Sequence, residues 1–181
     1  MRFEPTPGQT VGPFFGYALP FTGDSLLVPP SHPRAVRLAG RVLDGAGDPV
    51  PDALLELWQT DEDGVVPREQ GSLRRDGYTF TGWGRTSTDD AGHYTFTTVT
   101  PGSRFFVLTV FARGLLNRLF TRVYIPEVGD LSSDPLLASL PADRRSTLVA
   151  KRGDHGYLFD VVLQGTDETV FLAYPGHSAR G

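Results

Sequence analysis

Residues 92–111 read Gly92-His93-Tyr94-Thr95-Phe96-Thr97-Thr98-Val99-Thr100-Pro101-Gly102-Ser103-Arg104-Phe105-Phe106-Val107-Leu108-Thr109-Val110-Phe111. Aromatic and β-branched side chains recur at period two up to Val99, the pattern of a strand with one covered face. Thr100-Pro101-Gly102 supplies turn residues. The nearly continuous apolar run over 104–111 then suits a strand covered on both faces. The same grammar extends in both directions. Residues 36–44 alternate and stop at the turn Gly45-Ala46-Gly47-Asp48-Pro49, residues 53–59 form a second strand, and Gly84-Arg85-Thr86-Ser87 is a possible short one. Downstream, 119–125, 147–151, 157–164 and 169–173 read as strands, with a hairpin turn at Gly153-Asp154-His155-Gly156. The one good helix start is Asp134-Pro135-Leu136-Leu137, an acidic cap followed by proline in the first turn. Strands at this spacing, with one short helix, imply an all-β protein built as a β-sandwich.

A chain of 181 residues fits one domain, burying roughly 70% of its unfolded surface. The division expected is an amino-terminal arm and linker over 1–33, a sandwich over 34–174 and a tail over 175–181. There is no cysteine, which removes disulfides, thiolate nucleophiles, zinc ribbons and iron–sulfur clusters together. Without a long apolar run or a signal-type start, a cytoplasmic protein is expected. The net charge is −4 with basic residues scattered along the chain, which argues against nucleic acid or a membrane and for small molecules or proteins as partners.

The arm, Thr6-Pro7-Gly8-Gln9-Thr10-Val11-Gly12-Pro13-Phe14-Phe15, ends apolar and aromatic before any element that could bury it. Such a terminus is expected to dock on something. Taken by themselves, Gly12-Pro13 could simply turn the arm across a core, and Arg113 could snorkel or pair at the end of a strand. Trp58 and Trp83 invite a carbohydrate-stacking reading, although Trp58 is expected to pack in the core beside Leu55 and Leu57. The four histidines, His32, His93, His155 and His177, stand far apart in turn or tail contexts and suit solvated or capping roles better than ligation.

An ordered series of short motifs adds to this. Gly40-Arg41-Val42-Leu43-Asp44, Leu57-Trp58-Gln59, Gly84-Arg85-Thr86, Asp90-Ala91-Gly92, Thr100-Pro101-Gly102, Phe111-Ala112-Arg113-Gly114, Thr121-Arg122-Val123-Tyr124 and Leu148-Val149-Ala150-Lys151-Arg152, together with the arm, resemble the intradiol ring-cleavage dioxygenases from about Thr6 to about Ala173. That family holds ferric iron with two tyrosinates and two histidines, a hard ion suited to anionic oxygen. The resemblance places the first tyrosine at Val66, the second just after Pro101-Gly102 in a shortened loop at Ser103-Arg104, and the histidine pair at Phe105 and Val107. All four ligands are lost. The likeness is therefore to family chains without a metal of their own, which pack against an iron-bearing homologue, the β chain, and complete its pocket. It implies Fe(III) in that partner only, an αβ oligomer, and cleavage of protocatechuate by O2 to 3-carboxy-cis,cis-muconate in the β-ketoadipate route of aromatic catabolism. It further implies that Gly12, Pro13 and Arg113 contact the substrate, with no catalytic or metal-binding residue in this chain. Arg122, Arg144, Arg145, Lys151 and Arg152 are expected in inter-subunit or surface pairs. The rival from another class is a stand-alone transthyretin-like or carbohydrate-binding sandwich whose arm makes a homodimer contact.

Overall fold

The computed structural model describes residues 9, 10, 12, 15–69, 75–127 and 131–174. In chain order its elements are α1 (Phe15–Ala18), β1 (Val36–Leu43), β2 (Leu54–Trp58), β3 (Trp83–Ser87), β4 (His93–Thr98), β5 (Phe105–Phe111), β6 (Leu119–Tyr124), a 3-10 turn at Leu131–Ser133, α2 (Pro135–Ser139), α3 (Ala142–Ser146), β7 (Lys151–Gly153), β8 (Gly156–Leu158) and β9 (Val161–Val162). One sheet runs β4-β1-β8-β7, with β9 also on β1, and the other runs β3-β2-β5-β6. The expected β-sandwich is what forms.

Register follows burial. Leu38 opposes Phe96 across β1 and β4, and Leu57 opposes Leu108 across β2 and β5. Leu38, Val42, Leu55, Leu57, Phe96, Phe106, Leu108, Val110 and Val123 are fully buried between the sheets. A smaller cluster of Tyr124, Leu137 and Leu148 sits where α2 closes one end. Asp134 caps α2 as its sequence implies, its Oδ1 accepting from the amides of Leu136 at 2.9 Å and Leu137 at 3.1 Å.

Four details differ from the sequence reading. First, the run 157–164 is two strands, because the chain leaves the ladder at Phe159-Asp160. There the Phe159 carbonyl accepts from the Tyr94 hydroxyl at 2.6 Å, and Asp160 Oδ1 accepts from the Arg41 amide at 2.8 Å. Burial, reinforced by the charge of Asp160, pushes the Tyr94 phenol far above the usual tyrosine range. Second, only Lys151 of 147–151 enters a strand. The segment before it hooks onto the end of β6, the Tyr124 amide donating to the Leu148 carbonyl and the Ala150 amide to the Tyr124 carbonyl. It is crossing between sheets, so no ladder can grow. Third, 169–173 forms no strand and is held singly, for example by the Leu172 amide on the Phe120 carbonyl at 2.7 Å. Fourth, α1 and α3 accompany the one short helix expected. Each is only about one turn, too short for a helical period to show in sequence.

Trp58 corrects a further expectation. It is 48% exposed, whereas Trp83 is 8% exposed. Neighbours on a strand point to opposite faces, so the burial of Leu55 and Leu57 places Trp58 on the outer face.

Candidate functional site

The positions where the family resemblance places the metal ligands come together. Val66, Ser103, Phe105 and Val107, with Trp58 and Thr60, line a cavity of about 290 Å³ at the start of β5. Phe105 and Val107 share a face by strand period. Val66 follows a turn in which Asp61 Oδ1 accepts from the Val65 amide at 2.8 Å. The shortened loop brings Ser103 alongside, its amide donating to Thr60 Oγ1 at 3.2 Å, and Arg104 takes a left-handed φ of 73°.

The chemistry of these side chains does not fit a ferric ion. Val66, Phe105 and Val107 have no donor atom, and the Ser103 hydroxyl donates to the Phe105 carbonyl at 3.1 Å. Gln59, also on the wall, accepts from Thr98 through its carbonyl oxygen and donates to the Thr60 and Val99 carbonyls. Among the described residues no group of three or more His, Asp or Glu is placed to share a metal. Of the histidines, His93 faces Asp89 at 3.3 Å and His32 Nδ1 accepts from the Arg34 amide at 3.2 Å. His177 lies outside the described residues. The purified chain, loaded with Fe(III) and desalted, is therefore expected to retain no stoichiometric iron and no visible tyrosinate-to-iron colour. A coloured one-to-one complex would overturn this.

The second feature lies at the other end of β5. β5 runs from Phe105 to Phe111, roughly 20 Å of extended chain, and Arg113 follows two residues later. Here the Gly114 amide donates to Thr10 Oγ1 at 2.9 Å, which fastens the arm beside Arg113. Gly12, two residues on, has a φ of 76°. Pro13 lies outside the described residues. Arg113 is 57% exposed in its side chain, and its Nη2 stands 3.8 Å from Asp52 Oδ2. The structure thus brings the arm and Arg113 to one place, at the opposite end of β5 from the cavity of Val66, Phe105 and Val107.

Asp52 escaped the sequence reading. It follows ordinary turn chemistry at Val50-Pro51, and its left-handed φ of 58° has no marker in a non-glycine residue. Four of the five other basic side chains expected in pairs engage their own chain. Arg122 stacks over Phe105 at 4.2 Å and approaches Asp134 at 3.9 Å, Arg145 donates to the Leu140 carbonyl, Arg144 to the Thr166 carbonyl, and Arg152 lies over Tyr157. Lys151 is exposed. Trp83 offers no sugar platform, because Phe21 stacks on it at 6.2 Å and Arg85 lies against it at 5.2 Å.

Comparison with known proteins agrees with this picture. A family profile described as Dioxygenase matches residues 11–107. The protocatechuate 3,4-dioxygenase alpha chain of Burkholderia cepacia is 41% identical, over 92% of this chain and 96% of that one. The protocatechuate 3,4-dioxygenase beta chain of the same organism is 32% identical, over 73% of this chain and 65% of that one. Among solved structures, the dioxygenase domain of a dioxygenase carbohydrate-binding protein fusion from Streptomyces sp. SirexAA-E superimposes with a TM-score of 0.53 at 25% identity, over 90% of this chain and 100% of that one. With its sandwich, its ordered motifs and a relative matched along nearly its whole length, the chain belongs to the intradiol dioxygenase family.

Proposed function

We propose that this chain is the α subunit of a protocatechuate 3,4-dioxygenase, acting on protocatechuate and O2 in an αβ assembly whose Fe(III) sits in the β subunit. The observation that carries this reading is the arm fastened beside an exposed Arg113, in a chain where three of the four ligand positions, Val66, Phe105 and Val107, are hydrocarbon. Iron in the partner supplies the oxygen-activating chemistry of intradiol cleavage. This chain's part is binding and shape. Arg113 has an anionic neighbour at 3.8 Å and a side chain that is 57% exposed, so it can extend beyond its own chain to a carboxylate such as that of protocatechuate. Gly12 and Pro13 form part of the same wall in this proposal. A cytoplasmic setting and the division into arm, sandwich and tail belong to it as well. Among the described residues no helix is long and apolar enough to cross a membrane.

Co-expression with a homologous β chain, followed by purification through a tag on this chain, tests the assembly. The expected result is an equimolar, iron-bearing complex with an interface above roughly 2,000 Å², as permanent partners require. A monomer that leaves every such β chain behind would favour the stand-alone binding module.

A further inference from the structure

The arm is fastened at its base by a device that the proposed function does not use. β3 is an edge strand of its sheet, and an edge leaves backbone groups in need of partners. Residues 19–27 cover it. The Arg85 amide donates to the Asp24 carbonyl at 2.8 Å, and the Leu27 amide donates to the Thr97 carbonyl of the opposite sheet at 2.8 Å. Within this strap Phe21 stacks on Trp83, and its amide donates to Asp24 Oδ2 at 3.2 Å.

The Arg85 side chain makes the connection that matters for the arm. Its Nη2 and Nε donate to Glu56 Oε1 at 2.6 and 3.1 Å, and its Nη1 donates to the Leu19 carbonyl at 3.2 Å. The pair is largely withdrawn from solvent, with side-chain exposures of 17% and 16%, so it is not a mobile surface contact of the kind that contributes little. Leu19 ends the turn of α1, its amide donating to the Phe15 carbonyl at 3.1 Å, and Phe15 is itself buried. Arg85 therefore holds one end of the single turn of α1, whose other end, Phe15, stands three residues after Gly12 in the sequence.

We infer that Arg85, oriented by Glu56, is a positioning residue that acts through the Leu19 carbonyl to set where the arm delivers Gly12 in the neighbouring active site. The inference rests on the proposed function. If the pair only seals the edge strand, its loss lowers thermal stability and leaves substrate affinity alone. If it aims the arm, a displaced cavity wall loses contacts that the substrate makes in ground and transition state alike, which raises KM even where the fold survives. Lysine separates the two. A single ammonium can keep the charge pair with Glu56, but it lacks the planar fork that serves Glu56 and Leu19 together.

The experiment is steady-state kinetics of the αβ enzyme with protocatechuate, for Arg85→Met, Arg85→Lys, Phe21→Ala and Arg113→Ala, with iron content, subunit ratio and Tm measured on each. The expectation is that Arg85→Met raises KM about ten-fold with little change in kcat or iron. Arg85→Lys restores Tm but not KM. Phe21→Ala loosens the strap without touching the ion pair, so it raises KM in the same direction and keeps the inference testable should Arg85→Met not assemble. Unchanged KM in the Arg85 and Phe21 variants, with a raised KM in Arg113→Ala, overturns the positioning role and leaves the proposed function standing. Recovery of both Tm and KM by lysine also overturns it. An unchanged KM in all four overturns the positioning role and removes Arg113 from the substrate as well, whereas a chain that assembles with no β chain overturns the proposed function itself.

Discussion

Replacing Arg113 by alanine in the αβ enzyme is expected to lower kcat/KM for protocatechuate by roughly five- to hundred-fold, the range of one charge-assisted hydrogen bond of about 1–3 kcal/mol. Iron content and subunit ratio should stay unchanged, because neither resides in this side chain. Catechol supplies the control. It lacks the carboxylate, so it should lose much less. The expectation follows from the balance of charges at the site. Asp52 stands at 3.8 Å, beyond a hydrogen bond, and the Arg113 side chain is 57% exposed, so the guanidinium is guided rather than neutralised by its own chain. Asp52→Asn should accordingly cost less than loss of the arginine. Equal losses for protocatechuate and catechol would mean that Arg113 shapes the cavity or packs the subunits, and no loss for either would remove it from the site.

The sandwich was legible because its core is written twice, once in period-two alternation and once in the turn residues between runs. Leu38 and Phe96 lie on runs that alternate, whereas the apolar runs holding Leu57 and Leu108 marked strands without a phase, which only the structure supplies. That three of the expected ligand positions carry no donor atom was legible for a different reason. Val66, Phe105 and Val107 are chemically mute, and the structure adds that they surround one cavity. What sequence did not carry were the long-range polar ties. Nothing near Arg85 announces that its partners are Glu56 on the adjacent strand and a carbonyl in the arm. Nothing near Thr10 announces Gly114, 104 residues away. The error at Trp58 was one of phase. Its buried neighbour Leu57 argued against burial, since adjacent residues of a strand face opposite ways.

The break between β8 and β9 gives the most severe structural test. Gly40 lies on β1 beneath the point where the chain leaves the ladder, and a methyl group there would overlap the Phe159 carbonyl oxygen and meet the Tyr94 hydroxyl. Its backbone is ordinary strand, so a glycine-to-alanine change at open space in such a conformation would stabilise by about 0.4–1 kcal/mol through the unfolded chain. The sign is expected to reverse. Gly40→Ala must push Phe159 away, and this strands a buried phenol whose hydrogen bond at 2.6 Å goes to that carbonyl. Overpacking and an unsatisfied buried hydroxyl together should cost about 4 kcal/mol, a large share of the roughly 5–15 kcal/mol by which a domain is stable. Gly47→Ala is the contrast. That residue has a φ of 87° with no atom near a new methyl, so only backbone strain of about 1 kcal/mol is expected. Urea unfolding of both variants, followed by far-ultraviolet circular dichroism, checks the pair. If Gly40→Ala proves no worse than Gly47→Ala, the crossing of Phe159 over β1 has slack, and the splitting of the run 157–164 into two strands must have another cause.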